Sequence, residues 1–296
     1  MNMQGLWFPP KLPFRLYVAI PSNILSEESS LREKTMKLGI IARALAIFRA
    51  SRVLIYRRTP DESLLIRDIL RYHLTPPYLK KYIPLRPFLR YVGLLPPLRA
   101  PSHDVPDKLS EALKIRYREG FVTKVLEERG LVMVDIGLKE KGIMATEHPE
   151  AYRRRRFVLV KLRGVTSQGV LLTEVDVDDI PFYWRPFLEE RIFTSLYALL
   201  NEFKGLKIAT SRYGRSIESV FDSLREKLLS SNEVLIVFGA PYEGLYDIAK
   251  DEGFSLDEVV DFSINFIPEQ GVATVRSEEA MFAVLSILNL MKVMQR

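Results

Sequence analysis

The 296 residues include no cysteine. Disulfides, thiolate metal sites and cysteine nucleophiles are thereby excluded, since each needs the sulfur. Histidine is nearly as scarce: His73, His103 and His148 are the three, none at metal-ligand spacing and none beyond residue 148. A protein without metal is the expectation, and no histidine base can come from the C-terminal half of the same chain. No apolar run is long enough to span a membrane; the best, 280–291, holds 12 residues before Lys292. The opening MNMQGLWFPPKLPF lacks the charged start, apolar core and small-residue cleavage site of a signal peptide, so the expected location is cytoplasmic, away from membranes. There is also no GxGxxG, which disfavours a Rossmann-type cofactor site.

What is present suits a folded protein, with 47% hydrophobic and 27% charged residues. The net charge of +6 is unevenly distributed. Residues 116–163 carry twelve Lys/Arg against seven Asp/Glu, a net of +5, whereas 232–291 carry two against eleven, a net of −9. A basic region beside an acidic one suits a polyanionic partner held by one part of the chain while another part acts.

Along the chain the hydrophobic period changes twice. FRLYVAI (14–20) and RVLIY (52–56) read as strands on either side of a helix over 30–50, its buried side marked by Met36, Ile40, Ala44 and Ile47. Strand, helix, strand favours a parallel crossover. A second helix starts near Pro60 or Asp61. The proline-rich TPPYLKKYIPLRPFLRYVGLLPPLRAP then rules out regular structure. From 67 to 99, Tyr72, Tyr78, Tyr82, Phe88 and Tyr91 are interleaved with seven Lys/Arg and one acid, Asp68, which fits nucleic-acid binding and a packed surface connection equally well. From Tyr117 to Val177 five short alternating runs separated by turn residues read as a small antiparallel barrel of OB type, with Arg153–Arg156 at its edge. An α/β pattern then resumes, with a helix over 187–203, a strand over 206–210, a helix over 217–229 and a buried strand at 234–241.

The stretch 259–294, VVDFSINFIPEQGVATVRSEEAMFAVLSILNLMKVM, reads as strand, tight loop and helix. Ser277 is suited to cap that helix, and Glu278 and Glu279 lie on its positive end. Met281, Val284, Leu285, Leu288 and Met291 form one apolar stripe, while Phe282, Ala283, Ile287, Leu290 and Met294 leave the other side apolar as well. Gly271 permits close backbone approach, and a loop from a strand's carboxyl end to a helix start is where open α/β sheets bind ligands. An ordinary connecting turn fits the same residues. Loops 211–216, 239–244 and 268–276 would all lie at carboxyl ends of strands.

NFIPEQGVATVRSEEA (265–280) resembles the cofactor loop and last helix of the SPOUT, or α/β-knot, methyltransferases. Together with FGAPYEGL (238–245) it is similar to their archaeal and eukaryotic branch of RNA uridine-N3 methyltransferases, which carries an inserted barrel. The resemblance implies a trefoil-knotted α/β domain formed by 1–88 and 176–296, threaded by roughly 265–296, with an OB-like RNA-binding insertion over 89–175. It implies a homodimer that uses S-adenosylmethionine and acts on RNA, ribosomal RNA and uridine N3 above all. A protein methyltransferase or a non-catalytic RNA-binding assembly factor of the same fold are the alternatives.

The resemblance maps the family's cofactor-lining positions onto Gly239, Ile264, Ile267, Gln270, Gly271 and Ala273. Thr210, Phe238, Ala240, Pro241, Gly244, Asn265, Pro268 and Thr274 complete the expected set. In SRYGRS, Arg212 and Arg215 stand where related families place an arginine near the substrate; guanidinium grips phosphate in two places. The acceptor must lose a proton, for which Glu243, Asp247, Asp261, water or a partner subunit are the candidates, Glu243 first. Arg153, Arg154, Arg155, Arg156 and Lys161 are the expected RNA contacts on the basic barrel.

Overall fold

The computed structural model describes residues 2–3 and 6–293, with side chains from 8 to 291. Met294, the last member of the apolar side, lies outside the described residues. The chain forms two compact units: one holds 75–85 and 99–184 with the N-terminal residues up to Pro10, the other 11–74, 86–98 and 185 onward.

The chain opens with a short antiparallel ribbon, β1 (Asn2–Met3) and β2 (Leu6–Trp7). Then follow β3 (Arg15–Pro21), α1 (Leu31–Ile47), β4 (Arg52–Tyr56) and α2 (Ser63–Leu74). Ser30 starts α1 through a capping box: its hydroxyl accepts from the Glu33 amide at 3.2 Å, and the Glu33 carboxylate accepts from the Ser30 amide at 3.0 Å. Its buried face is not the expected one. Met36, Ile40 and Ile47 are exposed, and Leu38, Ile41, Ala42 and Leu45 are buried with Ala44. The helix is apolar on two sides, so periodicity yields two stripes and does not say which one the sheet covers. The covered side even takes Lys37, whose ammonium meets Glu27, Glu28 and Glu278 at 3.1, 3.2 and 3.5 Å.

The proline-rich stretch does contain regular structure: 3₁₀ turns at Pro77–Tyr82, Pro87–Leu89 and Val92–Leu94. Proline is compatible with the first position of such a turn, where no amide is needed, and it opens two of these three.

In the barrel unit, α3 (Leu109–Ile115) precedes β5 (Tyr117–Leu126), β6 (Leu131–Asp135), β7 (Gly142–Ala145), β8 (Phe157–Thr166) and β9 (Gly169–Glu174). They close in the order β5-β6-β7-β9-β8. One pairing, β7 with β9, is parallel, so the barrel is not purely antiparallel as expected. Alternation along each strand points Val122, Val134, Met144, Val160 and Leu172 into its core. Two tyrosines of the proline-rich stretch turn onto this barrel. The Tyr78 hydroxyl donates to the Glu119 carbonyl at 2.9 Å, and Tyr82 stacks on Phe121 at 3.9 Å.

The other unit continues with β10 (Phe187–Phe193), α4 (Leu196–Glu202), β11 (Leu206–Ser216), α5 (Ile217–Ser230), β12 (Glu233–Val237), α6 (Leu245–Asp251), α7 (Leu256–Val259), β13 (Phe262–Asn265) and α8 (Ser277–Val293). The expected single helix over 187–203 is a strand followed by a short helix. Phe187–Phe193 pairs in parallel with β4, and Ser195 then starts α4 by accepting from the Ala198 amide at 3.0 Å. Sheet pairing overrides the helical periodicity of FLEERIF, and charges at 189–191 suit an edge strand. The sheet runs β10-β4-β3-β12-β11-β13, all parallel. Its middle strands are buried on both faces, which is why they read as continuous apolar runs. No helix among the described residues is long and apolar enough to cross a membrane.

Candidate active site

Parallel pairing sends the connections after β11, β12 and β13 to one edge of the sheet. They meet around a cavity of about 410 Å³.

The first wall is an excursion within a strand. Thr210 and Arg215 both stand opposite Ile264 of β13, so 211–214 loop out between them. Gly214 makes this possible, since a Cβ there would lie 2.6 Å from backbone atoms of Ser263 and Ile264. Asn265 fixes the loop: its amide donates to the Arg212 carbonyl at 3.2 Å while its Oδ1 accepts from the Ile267 amide at 3.0 Å. The Thr210 hydroxyl ties this wall to the next by donating to the Val237 carbonyl at 2.9 Å.

The second wall is the turn 238–244. The Ala240 amide donates to the Glu243 carbonyl at 2.9 Å, and the Asp247 carboxylate accepts from the Gly244 amide at 3.0 Å. Buried Tyr56 donates from its hydroxyl to the Phe238 carbonyl at 2.7 Å, and burial pushes its pKa well up. Arg58, just past β4, meets Glu243, Asp251 and Glu252. Its Nε donates to Glu243 Oε2 at 3.1 Å and Nη2 to Oε1, so both oxygens of that carboxylate are engaged. Burial opposes the Arg58 charge, yet its carboxylate partners hold its pKa above the ordinary value. Glu252 in turn accepts from the Leu196 and Tyr197 amides at 3.1 and 2.8 Å, which satisfies the start of α4.

The third wall follows β13. Its left-handed residue is Glu269, at φ +54°, and not Gly271. Gln270 Nε2 donates to the Val272 and Ala273 carbonyls at 2.8 and 3.2 Å, and Arg212 Nη1 reaches the same Ala273 carbonyl at 3.1 Å. The helix cap lies one residue earlier than expected. Arg276 supplies the first carbonyl to the Ala280 amide, Glu279 accepts from the Arg276 amide at 3.0 Å, and Ser277 is buried within the first turn. A carboxylate reaching back over three residues replaces the hydroxyl cap.

The cavity gathers Thr210, Arg212, Phe238, Gly239, Ala240, Pro241, Glu243, Gly244, Ile264, Asn265, Ile267, Gln270, Ala273 and Thr274. Arg215, Pro268 and Gly271 are not among its lining residues. Arg215 is exposed, with no ion pair among the described residues. A Cβ on Gly271 would meet nothing within 4 Å. Asp261 precedes β13, at the end of the sheet away from the cavity, where it accepts from the Lys207 amide at 2.8 Å. In the barrel unit, Arg153 pairs with Glu127, Arg155 with Glu174 at 2.6 Å, and Arg156 donates to the Val122 carbonyl at 3.2 Å. Arg154 is exposed without an ion pair among the described residues, and the Lys161 ammonium lies 5.4 Å from the Tyr117 ring.

Sequence reasoning missed Arg58, Gly214, Tyr213 and Tyr242. Tyr213 and Tyr242 stand within the two quoted motifs, so their position was a usable signal; Arg58 is far from them in sequence and gave none. Among the described residues no group of three or more His, Asp or Glu could hold a metal ion.

Comparison with known proteins agrees with this geometry. A family model described as "Putative RNA methyltransferase" matches residues 15–288. An uncharacterized protein of Haloarcula marismortui is 32% identical over 92% of this chain and 98% of its own length. The 28S rRNA (uridine-N(3))-methyltransferase of Drosophila melanogaster is 29% identical over 93% of this chain and 62% of its own length. The human protein of the same name is 27% identical over 93% and 78%. The matched span takes in all six strands of the parallel sheet and all three walls of the cavity, and the chain belongs to this family of RNA methyltransferases.

Proposed function

We propose that this chain transfers a methyl group from S-adenosylmethionine to N3 of a uridine in ribosomal RNA. The observation that carries the reading is the cavity at the carboxyl edge of the sheet, within a chain whose relatives are named for that reaction. Its volume is in the range of small-molecule sites. Its walls suit the donor: Phe238, Ile264, Ile267 and Val284 offer apolar surface, and the backbone of 238–241 and 273–275 offers groups for an adenine edge. The Asp247 carboxylate, which no described cation pairs, favours a cation nearby. S-adenosylmethionine supplies, when bound, an electrophilic methyl group on a sulfonium.

The remaining chemistry belongs to positioning and to one proton. Arg212 is oriented by Ala273 and by the Tyr213 hydroxyl at 2.6 Å, and its guanidinium keeps further N–H donors for a uracil oxygen as negative charge develops. Glu243 is held by Arg58 and Asp247 by an amide, so both act as fixed structure. We assign the N3 proton to water, and the rate chiefly to orientation. Arg215, exposed and without an ion pair among the described residues, is available for a phosphate of the RNA.

The reading extends to the whole chain. The parallel-sheet part is the methyltransferase domain, knotted by passage of the segment from 265 onward through the loop at 238–245. The strand order of the barrel, first-second-third-fifth-fourth, supports an OB-like RNA-binding module over 89–175 that uses Arg153–Arg156 and Lys161. Exposed Met36, Ile40 and Ile47 on α1, which packs on α8 through Phe48 and Phe282, support a homodimer. The test is to incubate the protein with unmodified large-subunit ribosomal RNA and a labelled methyl donor, then analyse the nucleosides by mass spectrometry. N3-methyluridine is expected; label on ribose, on protein or nowhere would refute the reading.

A further inference from the structure

Tyr213 and Tyr242 are 66% and 78% exposed, more than any other described aromatic side chain; the next, Tyr197, is 44% exposed. Both line the same cavity, one from the excursion of β11 and the other from the turn after β12. We infer that these two rings receive the acceptor base, a pyrimidine turned out of its RNA strand, at the mouth of the methyl-transfer cavity. The inference rests on the reading of that cavity given above and adds the side chains that hold the substrate.

The chemistry of the acceptor gives such a pair a use. The N3 edge of a uridine is used up in pairing within a duplex, so an enzyme that methylates N3 acts on a base that is unpaired or turned out of its stack. An extruded base loses its neighbours' π-faces and regains them on aromatic side chains. The two rings do not pair with each other or with another described aromatic ring, and the Arg212 guanidinium lies over one face of Tyr213, which leaves its other face and Tyr242 for a base. Each is carried on a fixed support. The turn bearing Tyr242 is closed by the paired Ala240 and Glu243 backbones and anchored by Arg58. The Tyr213 hydroxyl accepts from Arg212, whose guanidinium carbon lies 4.8 Å from the ring centroid. A pyrimidine stacked on the other face of Tyr213 would have the Arg212 donors at the hydroxyl edge of that ring, whereas a phosphate would gain nothing from the ring. Face, edge and cation together fit a uracil better than a backbone segment.

The test uses the full chain with Tyr213→Ala, Tyr242→Ala and the two phenylalanine variants. S-adenosylmethionine affinity is read by calorimetry, oligomeric state by sedimentation, and KM and kcat with unmodified large-subunit ribosomal RNA. Each alanine variant should keep cofactor affinity and oligomeric state while kcat/KM for RNA falls about tenfold or more, the scale of one lost stacking contact. Tyr242→Phe should restore what Tyr242→Ala loses. Tyr213→Phe should recover KM but not kcat, because Arg212 loses its hydroxyl partner. Unchanged kcat/KM in both alanine variants would overturn the inference. So would loss of cofactor affinity or of association, which would assign the rings to the pocket wall or to contact between copies. A wild-type protein that binds no cofactor or methylates no RNA would instead defeat the reading of the cavity itself.

Discussion

The basic barrel and the acidic final third differ in charge sign, yet both use part of that charge internally. In the barrel, Arg153 and Arg155 sit on Glu127 and Glu174, and Arg156 on a carbonyl; of the four, only Arg154 lacks a partner among the described residues. In the final third, Glu243, Asp251 and Glu252 surround Arg58, Glu278 meets Lys37, and Asp247 and Glu279 accept from backbone amides. The number of charged side chains read from sequence is therefore an upper bound on those free to meet a partner. What distinguishes the regions is the task of the internal pairs. Those of the barrel are surface contacts worth little each, whereas those around the cavity hold its walls.

The comparison breaks first at the cavity. Gly214→Ala places a methyl group against the backbone of β13, so cofactor binding should vanish, with a stability loss of about 1–3 kcal/mol. Calorimetric titration and thermal unfolding measure both. Arg58→Ala leaves Glu243 and Glu252 without their cation, and the 238–244 turn should loosen. Cofactor affinity is expected to fall on the order of tenfold, corresponding to ~1.4 kcal/mol, whereas Arg58→Lys recovers part of it. In the barrel a smaller effect is expected. Arg154→Ala should reduce the slope of log affinity against log salt by about one contact. Arg153→Ala should leave it nearly unchanged if its pair with Glu127 persists in solution. Gly271→Ala sharpens the comparison from the other side: its Cβ enters open space, so stability and cofactor binding should change by less than about 0.5 kcal/mol.

These differences follow what a linear sequence can carry. The barrel's alternation of core and surface was legible because strand period is local, and its parallel β7–β9 pairing was not because pairing is not local. The motif residues that surround the cavity were legible as a set. Their individual roles were not: Gly271 was read as the close-approach glycine, whereas Gly214 takes that part because an excursion of β11 lies flat on β13. Glu243 is the first sequence candidate for the proton acceptor, and Arg58, 185 residues away in sequence, meets both its oxygens. The α1 stripe failed for a related reason, since two apolar faces leave the choice to the tertiary contacts.

The central claim is that the cavity at the carboxyl edge of the sheet holds S-adenosylmethionine. Calorimetric titration of the purified protein with that compound, beside a Gly239→Val variant whose side chain would crowd the Glu243 carbonyl already 3.2 Å from an added Cβ, tests it most directly. Saturable one-site binding in the wild type, absent from a folded Gly239→Val, is the predicted result. A wild type that binds no S-adenosylmethionine, or a folded variant that binds it equally well, would contradict the account.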